Sequence, residues 1–344
     1  MALLLAKGED ISEWRGVDEF VSSYRDAAVA MASRTRGKTI PQFLELLESE
    51  LATLSGENLL TIERMQQIIS DVSASTEHLP VRETLHEFYR LAYGHYSRFR
   101  SAPAFFSAAD SLFKALTGVL VSSAARDSEC ELPPFALFVM GPAGRFECTR
   151  FCRIQIAMAW DGYGGDAEDE LMASVAEDIV TGFRACGVPL DESVTPLHPR
   201  WRGSLNEWSE RLESAVTMNE EEEMVDVLRL VDQNLLVDAG GVGASFRSIC
   251  SNHLARHNAV ANLVRRCMAL SNGLGMMGGF KLQKKGPHRG KLSLLDHALL
   301  PLAATVAAIC LNNDLVEDGT PGRLRELVRH SRIDVDLAER SLQA

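Results

Sequence analysis

Apolar residues recur at helical spacing through the first 130 residues, so this part of the chain is predicted to be helical. The expected helices cover residues 17–33, 40–54, 58–70, 81–100 and 103–126. The fourth carries five aromatic residues on its apolar positions: Phe88, Tyr89, Tyr93, Tyr96 and Phe99. Aromatic side chains at this spacing are usually packing residues, and we interpret them as helix–helix contacts.

The pattern changes between residues 135 and 161. Residues 135–140 are uniformly apolar, 141–144 read Gly-Pro-Ala-Gly, and 153–160 place Ile154, Ile156, Met158 and Trp160 on one side by alternation. Strand, glycine turn and second strand together predict an antiparallel hairpin. A further short strand is expected at 234–238, which reads NLLVD.

The rest of the chain is predicted to be mainly helical. Helices are expected at 169–186 and 224–230, and a helix after Ser204, where Glu207 three residues later completes a capping box. Residues 245–344 are again helical, with breaks at 273–290 and 318–322. The fold class is therefore α+β: an N-terminal helical region (1–102), a small mixed-sheet module (103–245) and a C-terminal helical bundle (246–344).

Composition narrows the protein class. The chain has 344 residues, 46% of them hydrophobic and 24% charged, as expected for a soluble globular protein. Its net charge of −12 argues against extended nucleic-acid binding, which requires a positive field. The longest apolar candidate, residues 292–311, is interrupted by Asp296, His297 and Pro301, so no membrane segment is expected.

The seven cysteines are odd in number and scattered, which favours reduced thiols in a cytoplasmic protein over a disulfide framework. Cys148 and Cys152 form the closest pair. Their spacing is not typical of a zinc site and no second pair accompanies them, so we interpret them as two thiols at a strand edge.

A family resemblance rests on the order of several segments. The apolar strand is followed by MGPAGRFE, a second strand, CGVPL, HPRWRGSLNEW, a strand ending in Asp238, and GPHRGKLSL before LLPL. This order resembles the putative nucleotidyltransferase family of bacterial signal-transduction proteins, which is similar in its catalytic module to the PII-protein uridylyltransferases. The resemblance covers about two thirds of the chain, from residue 106 onward.

The resemblance implies a set of nucleotide-binding positions. Gly141, Gly144, Arg145, Glu147 and Thr149 match the family pattern after the first strand. Arg202, Lys284, His288 and Arg289 are further candidates for contact with a nucleotide, because basic side chains in loops suit phosphate groups. Pro142 stands where the family has serine, which removes a hydroxyl and a backbone N–H.

The two metal-binding carboxylates that the family pattern implies are replaced. Arg153 and Gln155 occupy their positions, and Asp238 matches a further acidic position and is a candidate remnant. Magnesium prefers anionic oxygen ligands, whereas arginine is a permanent cation and glutamine is neutral. No metal site is expected from these residues, and Arg153 is a candidate to pair with Asp238 in the space that a metal would fill.

Other charged groups leave alternatives open. The one dense basic cluster faces either a nucleotide cleft, an acidic partner or only solvent; it comprises Lys281, Lys284, Lys285, His288, Arg289 and Lys291. Ser293 and Leu295 stand where the family tends to have Asp and Lys.

Trp201 is interpreted as a packing residue in preference to a partner contact. The acidic residues between 161 and 170 are interpreted as a solvated loop and helix start.

Three functions remain in view. The first is a degenerate nucleotidyltransferase-like protein with a regulatory or binding role in bacterial signalling, through a protein partner, a homo-oligomer or a bound nucleotide. The second is an active enzyme that transfers a nucleotide to a protein, in the manner of a PII uridylyltransferase, using a nucleoside triphosphate and Mg²⁺. The third is a structural oligomerisation module. A cytoplasmic location is expected for each.

Overall fold

The computed structural model describes residues 59–343, except for short gaps at 76–78, 100–101, 129, 163, 219–220, 255–256, 271–272, 276–278, 287, 314, 316 and 318. The helices predicted at 17–33 and 40–54 lie outside the described residues. The chain divides into two compact units, Met1–Val119 and Leu120–Ala344. The domain boundaries expected at 102 and 245 stay a prediction.

The described part of the first unit is helical, as the periodicity predicted. Helix α1 covers residues 59–73, α2 covers Leu79–Phe99, and α3 (Ala102–Asp127) continues past the end of this unit. Phe88 is fully buried on α2, and Tyr93 stacks against Phe105 with ring centroids 5.0 Å apart. The aromatic residues of α2 that are described therefore include helix-packing residues.

A four-stranded mixed sheet lies at the centre of the second unit. Its strands are β1 (Phe135–Met140), β2 (Gln155–Trp160), β3 (Arg202–Ser204) and β4 (Asn234–Ala239), in the order β3-β2-β1-β4. The predicted hairpin is confirmed, because β1 and β2 are antiparallel with Phe135 opposite Trp160 and Met140 opposite Gln155. β4 is antiparallel to β1, whereas β3 is parallel to β2.

Helices around the sheet close its core. They are the single turn α4 (Gly141–Gly144), α5 (Asp166–Ala185), α6 (Leu205–Met218), α7 (Glu221–Val231) and α8 (Val242–Leu254). One face of β1 and β2 packs against α6 and α8, where Phe138 contacts Phe246 and Trp208 donates from Nε1 to the carbonyl of Met158 at 3.0 Å. β1 is buried along its whole length, so its continuous apolar pattern follows from burial on both faces.

Two local predictions around α5 and α6 have different outcomes. The capping box is confirmed, since Ser204 N donates to Glu207 Oε2 at 2.7 Å and Glu207 N donates to Ser204 Oγ at 3.3 Å. The second concerns residues 190–203, where the sequence predicts no helix or strand; they contain a 3₁₀ turn at Pro199–Trp201 and the start of strand β3. Three residues are too few for an alternation pattern to show.

The C-terminal helices form the predicted bundle. They are α9 (His257–Ala269), α10 (Leu300–Asn312), α11 (Thr320–Arg329) and α12 (Val335–Gln343), with α9 packed on α10, α10 on α11, and α11 on α12. Small cores form between them, one of which joins Cys310, Leu324 and Leu327. The α+β fold class is therefore confirmed.

Two described helical stretches, Phe105–Asp127 and Leu295–Asn312, are long and apolar enough to cross a membrane by length and composition. Core helices of soluble proteins meet the same criterion, so these stretches do not make the chain a clear membrane protein.

Candidate functional site

The glycine turn after β1 and the start of β2 form one surface. Gly141 has φ +61°, a conformation that favours glycine. A Cβ on Gly141 would lie 2.9 Å from Gln155 Oε1, so the amide of Gln155 rests against the turn. We name Gly141, Arg153, Gln155 and Asp191 the hairpin-end site.

Asp191 is the carboxylate of this site, and sequence reasoning missed it. Gln155 Nε2 donates to Asp191 Oδ2 at 2.9 Å. The backbone brings the two together, because Ile154 pairs in parallel with Leu190 and Asp191 N donates to Ile154 O at 2.9 Å. The available signal was an aspartate that directly follows the apolar residues 188–190 after Gly187.

The carboxylate of Asp191 is held in its charged form. Ser193 donates to Asp191 Oδ1 from its hydroxyl at 2.7 Å and from its backbone N–H at 3.2 Å. Partial burial opposes the charge, but hydrogen bonds from Ser193 and Gln155 and the positive charge of Arg229 outweigh it. The pKa of Asp191 is therefore lowered from its ordinary value.

The side chains of the hairpin-end site do not fit a magnesium ion as its ligands. The site offers one carboxylate that already accepts three hydrogen bonds, one neutral amide that is bonded to that carboxylate, and the exposed cation Arg153. A hard divalent ion prefers several anionic oxygens, and a guanidinium repels it. Within the described residues, no group of three or more His, Cys, Asp or Glu side chains is arranged to hold a metal.

Asp238 lies elsewhere on the sheet. It pairs with Ala136 near the start of β1, whereas Gln155 pairs with Met140 at its end. Four residues of a strand correspond to about 14 Å. Asp238 Oδ1 instead accepts hydrogen bonds from Gly241 N and Gly243 N, at 2.9 and 3.2 Å, at the start of α8. The interpretation that Arg153 pairs with Asp238 is therefore wrong.

Arg145 and Glu147, which match the family pattern, belong to a buried ionic group. Arg145 Nη1 donates to Asp232 Oδ2 at 2.5 Å, and Arg145 Nε donates to Glu147 Oε2 at 3.0 Å. Arg323 of α11 donates to the other oxygen of Asp232 at 2.5 Å. Only 6% of Arg145 and 7% of Asp232 are exposed. We name Arg145, Glu147, Asp232 and Arg323 the aspartate-bridged network.

The two positive and two negative charges of the network balance, and Glu147 also caps a helix. Burial disfavours the charge of Arg145, but Asp232 and Glu147 outweigh that cost and raise the pKa of Arg145 above its ordinary value. Glu147 Oε1 also accepts a hydrogen bond from Thr320 N at 3.0 Å, so this carboxylate caps the N-terminus of α11. Arg145 and Glu147 thereby fasten the turn after β1 to the C-terminal helices.

Gly144 and Gly319 lie against the same network. A Cβ on Gly144 would lie 1.7 Å from the carbonyl oxygen of Asp232, which no side chain tolerates. A Cβ on Gly319 would lie 2.7 Å from the carbonyl oxygen of Arg145. The glycine of the family pattern at 144 is thus explained by close backbone packing.

The other candidate positions are spread over the surface and the core. The carbonyl of Thr149 accepts from Cys152 N at 3.0 Å and forms a turn. Arg202 is buried and donates twice to Asp169, at 2.7 and 2.8 Å, and to the carbonyls of Pro196 and Leu197. Trp201 is buried against Trp208, as its interpretation as a packing residue predicted.

The basic candidates lie on a backbone ribbon before α10. Gln283 N donates to Lys291 O at 2.9 Å and Gly290 N donates to Gln283 O at 2.8 Å, which brings residue 283 next to residues 290 and 291. Lys284, His288 and Arg289 are exposed there. Their contact with a nucleotide stays a prediction.

Comparison with known proteins finds two matching family models. The family model described as putative nucleotidyltransferase DUF294 matches residues 86–222, and the model described as putative nucleotidyltransferase substrate binding domain matches residues 257–344. No curated protein matches the chain. The two matches follow each other in the order that the sequence predicted, and they cover the hairpin and the C-terminal helices. The chain therefore belongs to the putative nucleotidyltransferase family, with the substrate-binding domain of that family at its C-terminus.

Proposed function

We propose that this family member is catalytically degenerate and works in the cytoplasm as a regulatory or binding protein of bacterial signalling, through a protein partner or a bound nucleotide. The observation that carries the proposal is the hydrogen bond from Gln155 to Asp191 beside the exposed Arg153. An amide and a guanidinium occupy the positions where the family pattern has carboxylates, and the amide donates to one oxygen of the remaining carboxylate.

The chemistry of nucleotide transfer explains why this matters. Phosphoryl transfer depends on positioning and on metal ions that neutralise the charge developing on the phosphate oxygens. At the hairpin-end site, Arg153 repels such an ion and Gln155 contributes one neutral oxygen at most. The residues present support binding and do not support metal-assisted transfer.

The retained pattern residues fit the same proposal. Arg145 and Glu147 are bonded to Asp232, Arg323 and the backbone of Thr320, so their presence is accounted for by the fold. A pattern retained where the fold needs it and altered at the surface is expected of a protein that kept the architecture and changed its use.

The test compares wild type with a double variant, Arg153→Asp plus Gln155→Asp. Together with Asp191, the two substitutions place three carboxylates at the hairpin-end site. Calorimetric titration with MgCl₂ is expected to give only the heat of dilution for wild type and a saturable heat of binding for the double variant. The control is Arg150→Asp, which makes the same charge reversal as Arg153→Asp on an exposed position of the same loop and is expected to behave as wild type.

A second measurement addresses activity. Wild type is incubated with α-labelled ATP, UTP or CTP, with and without Mg²⁺, and label in protein is counted. No transfer is expected. Magnesium-dependent transfer of label would establish the active alternative and overturn the proposal. A higher affinity of wild type for the nucleotide in the presence of Mg²⁺ would do the same.

A further inference from the structure

The seven cysteines are all reduced and differ in their surroundings. Cys186, Cys250, Cys267 and Cys310 are buried, and Cys130 is exposed. Cys148 and Cys152 are half-buried in the loop between α4 and β2. They are the two thiols that are both partly accessible to solvent and close to another cysteine in the sequence.

The loop places these two thiols in contact. The backbone turns at residues 149–152, where Cys152 N donates to Thr149 O at 3.0 Å. The turn brings the side chains of Cys148 and Cys152 into hydrogen-bond contact. The same carbonyl of Thr149 lies 3.4 Å from the sulfur of Cys148, so this sulfur and the backbone N–H of Cys152 converge on one oxygen. Two thiols that meet across one turn satisfy the first geometric requirement for a disulfide, which is proximity of the two cysteines.

The surroundings of Cys152 favour its thiolate more than those of the buried cysteines do. The hydrogen bond from Cys148 lowers the pKa of the Cys152 thiol; burial and the charge of Glu147 oppose this, and Arg145 assists it. Burial raises the pKa of Cys186, Cys267 and Cys310 to about 11 and that of Cys250 to about 12. The thiolate population therefore favours Cys152 over the four buried thiols.

We propose that Cys148 and Cys152 are a thiol–disulfide exchange site that a low-molecular-weight disulfide, such as oxidised glutathione, converts to an intramolecular disulfide. The inference is independent of the proposed function, because it depends on the two thiols of this loop and not on the hairpin-end site. It assigns a modification site beside the hairpin-end site, one residue before Arg153.

The exchange balances in two steps. The Cys152 thiolate attacks one sulfur of oxidised glutathione, a protein–glutathione bond forms, and one glutathione thiolate leaves and takes up the proton released from Cys152. The Cys148 thiol then loses its proton to solvent and attacks the Cys152 sulfur, which expels the second glutathione. Two protein thiols are oxidised, and one small disulfide is reduced to two thiols.

The resulting bond closes a ring over only three intervening residues. A ring this short restricts the unfolded chain little, so it adds little stability and is readily reduced. The ring would include Thr149 and fix the loop that joins Glu147 to β2. The site therefore suits reversible modification.

The experiment treats the full chain with oxidised glutathione at pH 7.5 and reads intact mass and peptide maps. Wild type is expected to lose two hydrogens, with Cys148 linked to Cys152, and to regain them with reduced glutathione. Cys148→Ser is expected to stop as a glutathione adduct on Cys152. Cys152→Ser cannot form the link. Its glutathione adduct on Cys148 is expected to form at least about tenfold more slowly than the adduct on Cys152. Cys130→Ser is the control and is expected to oxidise as wild type.

Three outcomes would overturn the inference. One is a link that involves Cys130. Another is equal glutathione adduct formation in the two serine variants, which would remove the distinction between attacking and resolving thiol. The third is the persistence of both thiols while Cys130 reacts. Circular dichroism of each variant confirms that the loop substitutions leave the fold intact.

Discussion

Two groups of charged residues flank the turn after β1, and they have opposite surroundings. The aspartate-bridged network is buried, and each of its carboxylates accepts from more than one donor. The hairpin-end site is open, with Arg153 exposed and Asp191 satisfied by Gln155 and Ser193. The family pattern is matched in the first group and altered in the second.

The difference teaches that a matched motif is not by itself evidence for a retained activity. Arg145 and Glu147 were candidates for nucleotide contact, yet both are engaged in holding the turn to α11. Replacing either one would leave the buried network with a net charge, which is costly whether or not a nucleotide binds. Arg153 and Gln155 meet no such constraint, so their positions tolerate change.

The largest expected effect comes from the centre of the network. Asp232→Asn removes the only charge that Arg145 and Arg323 share, and we expect it to lower the free energy of unfolding by about 3–5 kcal/mol. Urea unfolding followed by tryptophan fluorescence measures this, because Trp160, Trp201 and Trp208 are all buried in the second unit. Arg153→Ala is the matched control, with an expected change below about 0.5 kcal/mol. Equal effects of the two substitutions would erase the contrast.

A steric change at the same turn is expected to rank second. Gly144→Ala places a methyl group against the carbonyl of Asp232, and the backbone must shift to admit it. We expect a loss of about 1–3 kcal/mol, measured in the same urea titration. The control is Gly118→Ala, because Gly118 has open space around it and no positive φ. Gly165 also has open space, but its φ of +124° makes it unsuitable. Gly118→Ala should cost nothing comparable; a neutral Gly144→Ala would contradict the close approach.

The smallest effect is expected at the hairpin-end site and depends on pH. Asp191→Asn weakens the bonds from Gln155 and Ser193, for a loss of about 0.5–1 kcal/mol at pH 7 because the site is open to solvent. The folded pKa of Asp191 is lowered, so its contribution is present above the unfolded value and is lost as the pH falls through the folded value. Urea titrations of wild type and variant should therefore converge in acid. A difference that stays constant with pH would show that the charge of Asp191 is not involved.

Local patterns in the sequence predicted much of this fold. The alternation of Ile154 to Trp160 and the uniform apolar run of β1 gave the hairpin, and Ser204 with Glu207 gave the start of α6. Each depends on residues close in sequence, where side-chain spacing alone decides the structure. The changed positions 153 and 155 could likewise be located from the order of segments.

The contacts between distant segments could not be predicted. Arg145 and Asp232 are 87 residues apart, and Arg323 is 91 residues beyond Asp232. Asp191 reaches Gln155 because a loop pairs with Ile154 outside any regular strand, which leaves no periodic signal. Asp238 shows the reverse error: the segment order suggested a place in the site, but the strand register puts it at the other end of β1.

The position of Asp232 in the chain affects how the protein can be divided. It lies between the two regions matched by the family models, 86–222 and 257–344, yet its two oxygens are bonded to an arginine from each of them. A fragment that ends at residue 245 would lose Arg323 and the backbone donor of Thr320, and would leave Asp232 and Glu147 partly unpaired. A fragment that begins at residue 257 would carry Arg323 without its counter-charge. Either half should therefore be less stable in isolation than within the whole chain.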